Sequence, residues 1–222
     1  MKVMKYLPQL GSLVSILLCG PAALAQNIPI ANYSFEDPAQ GAGGYNAVIP
    51  DWNISGGVAG VWNPLGWGPY TFGAFSSIPD GAQVGYINGY GGTTVSQTLA
   101  ASLLPNTTYT LSIWIGNRGG GLDPGTDYSV GLYGGANLLA SVTPASAPLS
   151  DWIDLTATYT TGASVPSELL GISISTPVEQ LDFDDVTLTA SPAVSAVPDC
   201  GNATWIAGLV LMAFSRFVRA RE

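Results

Sequence analysis

The sequence predicts an all-β fold, a two-sheet antiparallel sandwich, for the body of the chain. Gly, Pro, Asn and Asp recur as turn signals at intervals of about ten residues, the spacing that is typical of sandwiches and barrels. Short runs rich in β-branched and aromatic residues lie between these signals. The body contains no convincing amphipathic helix. Together these patterns favour packed sheets over a helical or mixed fold.

Eight runs of the body read as strands because turn residues bound each of them. In chain order they are Val84–Ile87, Val95–Leu99, Tyr109–Ile115, Tyr128–Tyr133, Leu138–Val142, Trp152–Thr160, Leu170–Ile174 and Phe183–Thr189. Successive side chains of a strand point to opposite faces. Alternation therefore puts Leu111 and Ile113 on the core face, and it puts Trp114 and Tyr133 on the polar face of their strands. Trp52 and Trp152 are predicted to lie in the core.

The charge distribution excludes one class of partner. Residues 26–190 contain thirteen acidic residues and one cation, Arg118, and the whole chain has a formal net charge of −9. A groove for DNA or RNA needs clustered cations that replace counterions, so we expect no nucleic-acid partner. An acidic, glycine-rich exterior suits an extracellular protein, and it also suits a calcium-rich medium because carboxylates are calcium ligands.

The absence of histidine excludes several kinds of catalytic site. The chain has no His and two Cys, Cys19 and Cys200. Ser-His-Asp and Cys-His nucleophile systems and His-ligated zinc are therefore excluded. A carboxylate pair of the glycosidase type is the one catalytic alternative that remains. The sequence favours it less than a binding protein or a structural protein. We expect a protein that is not an enzyme.

Residues 1–25 have the order of parts of a cleaved signal peptide. Lys2 and Lys5 form a positive region, an apolar run follows from Leu10 to Leu18, and Ala23-Leu24-Ala25 precedes the expected cut. The run is too short to span a bilayer. We therefore expect export, with a signal-peptide helix that is absent from the mature protein.

The C-terminal part predicts sorting and membrane retention. Residues 191–196 form a small-residue linker, and residues 197–222 contain a polar motif, an apolar stretch and three arginines. The motif is Val197-Pro198-Asp199-Cys200-Gly201. This tail resembles the VPDSG-CTERM and PEP-CTERM sorting signals that exosortases handle, with Cys200 in place of Ser. The resemblance implies an exosortase-type processing enzyme as partner, a short hydrophobic helix in the membrane, and a final location in the cell envelope or extracellular matrix.

Two segments that open and close the domain carry a second resemblance. Asn32-Tyr33-Ser34-Phe35-Glu36-Asp37 and Phe183-Asp184-Asp185-Val186-Thr187-Leu188 resemble the galactose-binding-like jelly roll of carbohydrate-binding modules. The resemblance covers residues 26–190 and implies a jelly-roll sandwich with a structural calcium ion bound by Glu36 and Asp184. Asp184 shares strand parity with Val186 and Leu188, so we expect it to point inward. In the alternative interpretation, both carboxylates accept backbone N–H bonds instead.

Exposed aromatic rings predict polysaccharide binding, because sugars stack their C–H faces on such rings. The candidate residues are Trp114, Tyr133, Trp62, Trp67 and Tyr70. The alternative is that these rings cap the core and that the protein is a structural surface or matrix protein with no specific ligand. The sequence therefore predicts a non-enzymatic, exported polysaccharide-binding protein of the cell envelope or matrix.

Overall fold

The computed structural model describes residues 24–65, 75, 77–88, 91–118, 124–177 and 180–193. These residues belong to one compact unit, Leu24–Ala193. The expected signal peptide, the sorting motif with its tail, and the candidate residues Trp67 and Tyr70 lie outside the described residues, except for Leu24 and Ala25 at the end of the expected signal peptide. Within the described ranges, no helix is both long enough and apolar enough to cross a membrane.

Twelve strands form the described part of the chain. They are β1 (Gln26–Asn27), β2 (Tyr45–Asn46), β3 (Asn53–Ser55), β4 (Val58–Trp62), β5 (Val84–Asn88), β6 (Thr93–Ser102), β7 (Thr107–Asn117), β8 (Ser129–Gly134), β9 (Asn137–Ser141), β10 (Asp151–Thr160), β11 (Leu169–Thr176) and β12 (Leu181–Pro192). Strands β5 to β12 are the eight predicted strands, with ends that differ by a few residues. Strands β1 to β4 were not predicted, because three of them are only two or three residues long.

The strands form two antiparallel sheets. The larger sheet has the order β10-β7-β12-β5-β4-β2, with β1 paired to the C-terminal part of β12. The smaller sheet has the order β3-β6-β11-β8-β9. All pairs in both sheets are antiparallel. The predicted all-β, two-sheet antiparallel sandwich is confirmed.

The main core lies between the two sheets and follows the alternation of the sequence. On β7, Leu111, Ile113 and Ile115 are fully buried, and they pack in one cluster with Ile172 and Ile174 of β11. Burying such side chains stabilises a fold by about 1.5–3 kcal/mol each. The core positions of β7 were therefore correctly assigned from period-two alternation.

The end of β12 departs from simple alternation because of a β-bulge. Asp184 pairs with Trp114, whereas Thr187 pairs with Ser112, so β12 contains one more residue than β7 between these pairs. Asp185 takes a positive φ of 45° there. Because a bulge inserts one extra residue, side chains beyond it point to the face opposite to the one that simple alternation predicts. Asp184 is buried as expected, but it lies on the face of Trp114, and the parity with Leu188 that placed it in the sandwich core is wrong.

A second hydrophobic cluster covers the outer face of the larger sheet, away from the smaller sheet. Its buried members are Trp62, Val84, Tyr86 and Trp152, and Phe75, Ile78 and Trp114 pack against them. Strand pairing puts these side chains on one face: Trp62 pairs with Val84, and Trp152 with Gly116. The predicted burial of Trp52 and Trp152 is confirmed, Trp52 in the main core and Trp152 in this outer cluster.

Candidate functional site

A row of residues across the outer face of the larger sheet contains a buried acid. Asp182 of β12 pairs with Tyr86 of β5 on one side and with Gly116 of β7 on the other, and Gly116 pairs with Trp152 of β10. Paired residues of antiparallel strands point to the same face. Asp182 therefore shares the outer face with the aromatic cluster and not with the aliphatic core.

Glycine at position 116 makes room for this arrangement. A Cβ atom at Gly116 would lie 2.7 Å from Cζ3 of Trp152 and 2.8 Å from Cε1 of Phe75. The rings of Phe75 and Trp152 stack with their centroids 4.2 Å apart, and Nε1 of Trp152 donates a hydrogen bond of 2.8 Å to the carbonyl of Ser77. Because Gly116 has no side chain, the rings of Phe75 and Trp152 pack on β7 at the residue that pairs with Asp182.

A cavity of about 250 Å³ opens on this face next to Asp182. It is lined by Tyr45, Trp62, Tyr86, Asn88, Arg118 and Gln180. Aromatic rings supply apolar surface, while two amides, two phenols and one guanidinium supply hydrogen-bonding groups. Such a combination is typical of pockets for small organic ligands.

Asp182 neighbours three residues of this lining: it pairs with Tyr86, accepts a hydrogen bond from Gln180 and interacts with the charge of Arg118. Its side chain is 1% exposed, and its Oδ1 accepts a hydrogen bond of 2.9 Å from Nε2 of Gln180. Its Oδ2 is buried without a hydrogen-bond partner. Burial raises the pKa of Asp182 to about 6, although Arg118 and the Gln180 bond act in the opposite direction. An unpaired buried oxygen is costly in a fold, and such exceptions cluster at functional sites.

Arg118 directly follows β7, and its guanidinium is the positively charged group in the lining of the cavity. The centre of its guanidinium lies 5.1 Å from the centroid of a Trp62 ring, within the range of a cation–π interaction. Its Nε is buried and has no hydrogen-bond partner. The cation therefore lies over an aromatic surface at the cavity, and no carboxylate of the described residues is hydrogen-bonded to it.

Glu36 and Asp184, the predicted calcium ligands, both bind the loop that precedes β5. Oε1 of Glu36 accepts hydrogen bonds from the N–H groups of Ala82 (2.8 Å) and Gln83 (2.7 Å). The oxygens of Asp184 accept from the N–H groups of Asp80 (3.0 Å) and Asp185 (2.8 Å). These contacts match the alternative interpretation, in which both carboxylates accept backbone N–H bonds. Burial raises the pKa of Asp184 to about 8 against the effect of these two bonds.

Calcium remains a prediction for this pair. In the part of the chain that the structure describes, no three acidic, Cys or His side chains are grouped as metal ligands. Calcium takes six to eight oxygens, so a site at Glu36 and Asp184 would need main-chain carbonyls or water for the remainder.

We expect chelation of calcium to lower the melting temperature, because an ion that binds only the folded state stabilises it by mass action. Glu36→Gln should reduce this shift, and the matched change Glu168→Gln, at a carboxylate that directly precedes β11 of the smaller sheet, should retain it. Thermal unfolding with and without a chelator measures the effect. A transition that chelation leaves unchanged would show that the two carboxylates cap the loop and hold no ion.

The structure separates the predicted aromatic residues. Trp62 is buried at the end of β4 and lines the cavity, and Trp114 is half-buried against the same outer cluster. Tyr133 is half-buried on β8 of the smaller sheet, where its ring lies beside Gly131. The aromatic residues therefore do not form one continuous surface, and polysaccharide binding by them stays a prediction.

Asp182 and Arg118 were missed as site residues by sequence reasoning. One signal was present: Gln180, Asp182 and Asp184 alternate with Leu181 and Phe183, which places three polar residues on one face of a buried strand. The pairing that brings Asp182 to Tyr86 and Gly116 joins segments that are distant in the sequence.

Fold and site together define a β-sandwich protein with a buried acid behind an aromatic pocket, on the outer face of one sheet. A family model described as HpiC1-like, HpiC1 cyclase, matches residues 26–189. The chain belongs to this HpiC1-like family.

Solved structures of cyclases match over most of the chain. A Stig cyclase, Fisc from Fischerella sp. TAU, is 29% identical with a TM-score of 0.66, and the match covers 77% of this chain and 100% of that one. That structure contains (3Z)-3-(1-methyl-2-pyrrolidinylidene)-3H-indole. An apo cyclase from Fischerella sp. is 30% identical, with a TM-score of 0.67 and coverage of 77% and 98%. A cyclase from Fischerella sp. TAU in complex with 4-(1H-indol-3-yl)butan-2-one is 28% identical, with a TM-score of 0.65 and coverage of 77% and 100%. The comparison with curated proteins found no match.

These comparisons correct the expectation that the protein is not an enzyme, because family and structural relatives are cyclases. The exclusion of histidine chemistry was sound, but a single sequestered carboxylic acid needs no histidine. A carbohydrate-binding module in complex with β-1,4-galactotriose also matches, at 14% identity, a TM-score of 0.44 and coverage of 73% and 97%. The sandwich fold that the resemblance implied is confirmed by the sheets of the structure and by the cyclase structures, but the resemblance missed the cyclase family.

Proposed function

We propose that this protein is a cyclase that closes a ring in a small aromatic substrate, with Asp182 as the general acid. The observation that carries the proposal is the placement of Asp182: fully buried, with one oxygen unpaired, directly behind an aromatic pocket. A carboxylic acid kept neutral by burial can donate a proton near neutral pH. Family membership supplies the reaction class.

The proposed reaction balances without a cofactor or an oxidant. Asp182 donates its proton to an electron-rich unsaturated carbon of the substrate, which leaves a carbocation. A second double bond of the same molecule attacks the cation and forms the new carbon–carbon bond. Loss of a proton from the ring-closed cation to the Asp182 carboxylate restores the acid. Substrate and product therefore have the same mass.

The pocket supports an aromatic substrate and stabilises positive charge during the reaction. Trp62, Tyr45 and Tyr86 line the cavity, and aromatic faces attract cations. Two of the structural relatives contain indole compounds. We propose that this pocket takes an indole-type ring, and that 4-(1H-indol-3-yl)butan-2-one binds here as well. Movement of the half-buried Arg118 side chain would open Asp182 to the ligand.

The proposal is tested by conversion of 3-alkenyl indoles that carry a second double bond in the side chain. We expect a product of unchanged mass with one more ring and one fewer double bond, identified by mass spectrometry and NMR. The rate should fall as pH rises beyond about 6, since only protonated Asp182 acts as the acid. Absence of any ring-closed isomer across a panel of such indoles, with protein that binds the indole ketone, would contradict the proposed reaction.

Polysaccharide binding stays a separate prediction for Trp114 on the larger sheet and for Tyr133 on the smaller sheet, and a glycan array tests it. Tyr133 lies on the outer face of the other sheet, away from the row of Asp182, so a sugar bound there would not occupy the cavity. Selective binding that is lost in Tyr133→Ala but kept in Asp182→Asn would support this second site. Binding to no glycan would favour the structural-matrix alternative for that surface.

Export and sorting also remain proposals for the segments outside the described residues. We propose that the mature protein lacks residues 1–25 and the apolar tail after the Val197–Gly201 motif. The intact mass of protein from the native cell measures this. A main species that still ends at Glu222 would contradict processing by an exosortase-type enzyme.

A further inference from the structure

We propose that the substrate of this pocket carries an anionic group next to its aromatic ring, and that Arg118 binds this group. The inference rests on the proposed function, because it names the class of substrate for the same cavity. It concerns recognition and not the chemical step, so it is testable by binding alone.

The first argument is the distribution of charge. The described residues contain eleven carboxylates and one cation, Arg118. A single cation in so acidic a protein would be expected to pair with a carboxylate at the surface. Instead, Arg118 lines the cavity with its Nε buried and without a partner, and no described residue accepts a hydrogen bond from it. The charge of Arg118 lowers the pKa of Asp182, but it does so without a hydrogen bond. The N–H groups of the guanidinium are therefore available to a ligand at this position.

The second argument is the chemistry of the surrounding groups. A guanidinium presents several N–H donors in a planar fork that matches the two oxygens of a carboxylate. Asn88 and Gln180 add amide groups to the same lining. The Trp62 ring lies on one side of the guanidinium, whose centre is 5.1 Å from the ring centroid. A ring on the aromatic walls and an anion at Arg118 would occupy both parts of the cavity together.

A structural role for Arg118 is the competing explanation. Its aliphatic stem and guanidinium could serve only to cover Trp62, as long cationic side chains often cover apolar surface. In that case, replacing Arg118 would weaken neutral and anionic ligands equally. A recognition role affects the anionic ligand alone. The comparison of two ligands with the same shape and different charge therefore separates the two explanations.

The test uses 3-(1H-indol-3-yl)propanoate and the neutral ketone 4-(1H-indol-3-yl)butan-2-one, in which a methyl group replaces one carboxylate oxygen. Dissociation constants are measured by calorimetry at a pH where the acid is ionised. We expect the native protein to bind the propanoate about ten- to a hundredfold more tightly than the ketone, the range of a charge-assisted hydrogen bond. Arg118→Gln should abolish this preference and leave the affinity for the ketone within about threefold, because the variant keeps a polar side chain but loses the charge.

Asn53→Asp is the matched control, because it also lowers the net charge by one but lies exposed on β3 of the other sheet. It should retain the preference for the propanoate. Equal affinity of the native protein for both ligands would overturn the inference while leaving the acid role of Asp182 intact. Equal weakening of both ligands in Arg118→Gln would assign Arg118 a structural role. Failure of both ligands to bind the native protein would also overturn it, whereas the proposed ring closure is decided by the conversion assay.

Discussion

Asp182→Asn is expected to reduce kcat/KM for ring closure by about a hundredfold or more, since a positioned general acid contributes about 10²–10⁴ in rate. The amide cannot donate an acidic proton, yet it has nearly the same shape as the carboxyl group and still offers an oxygen to Gln180. Substrate binding should change little, because the change leaves the cavity lining intact. Steady-state kinetics with the converted indole gives the result.

Asp185→Asn is the matched control for this prediction. Asp185 lies three residues further along β12 on the bulge, is only half-buried, and has a positive φ that Asn tolerates well. The control should retain nearly full activity. If Asp182→Asn kept its activity within about threefold of the native protein, a contribution of general-acid size would be ruled out and another group would have to supply the proton.

Asp182→Asn also has an effect on stability, and this effect does not depend on catalytic turnover. The pKa of Asp182 is raised to about 6 in the folded state, so its protonated form is favoured by folding. This contribution is fully present below the unfolded pKa near 4 and is lost as pH rises through about 6. The unfolding free energy of the native protein should therefore decline between about pH 4 and pH 6. The same measurement on Asp182→Asn should lack the part of the decline that comes from this carboxyl group.

Phe183→Ala is expected to destabilise the fold by about 3–5 kcal/mol, the usual cost of removing a buried Phe side chain. Phe183 is fully buried, and its ring meets Phe35 edge to face with centroids 4.9 Å apart. Its ring also fills the space over Gly85, where a Cβ atom would lie 2.3 Å from Cε2 of Phe183. The loss would leave a cavity between β12 and β5, the two strands that place Asp182 and Tyr86 side by side. Denaturant unfolding measures the change.

Leu138→Ala is the control for the core prediction. Leu138 lies on β9 and is 56% exposed, so its removal should change the unfolding free energy by about 0.5 kcal/mol or less. A loss of less than about 1 kcal/mol in Phe183→Ala would be out of line with a buried aromatic side chain. It would show that the strand adjusts easily around this position, and the rigid support that the structure gives to Asp182 would then be in doubt.

Much of the fold followed from local patterns in the sequence. Period-two alternation identified the core face of β7 through Leu111 and Ile113, and turn residues marked the eight long strands. The edge strands β2 and β3 were missed because each has too few residues to show alternation. For the site, Trp62 was identified from its aromatic character, but as an exposed ring rather than as a buried wall of the cavity.

The sequence by itself determined the fold class, the core face of β7 and the exclusion of histidine chemistry, because these depend on side-chain type and on a fixed local period. The tertiary structure decided the acid and the ligand-binding face. The bulge at Asp185 reversed the facing of β12, and strand pairing brought Asp182 between Tyr86 and Gly116 under a second aromatic cluster. Burial from water sets the pKa of that carboxyl, and burial depends on segments that are distant in the chain. No local pattern at Asp182 specifies that environment.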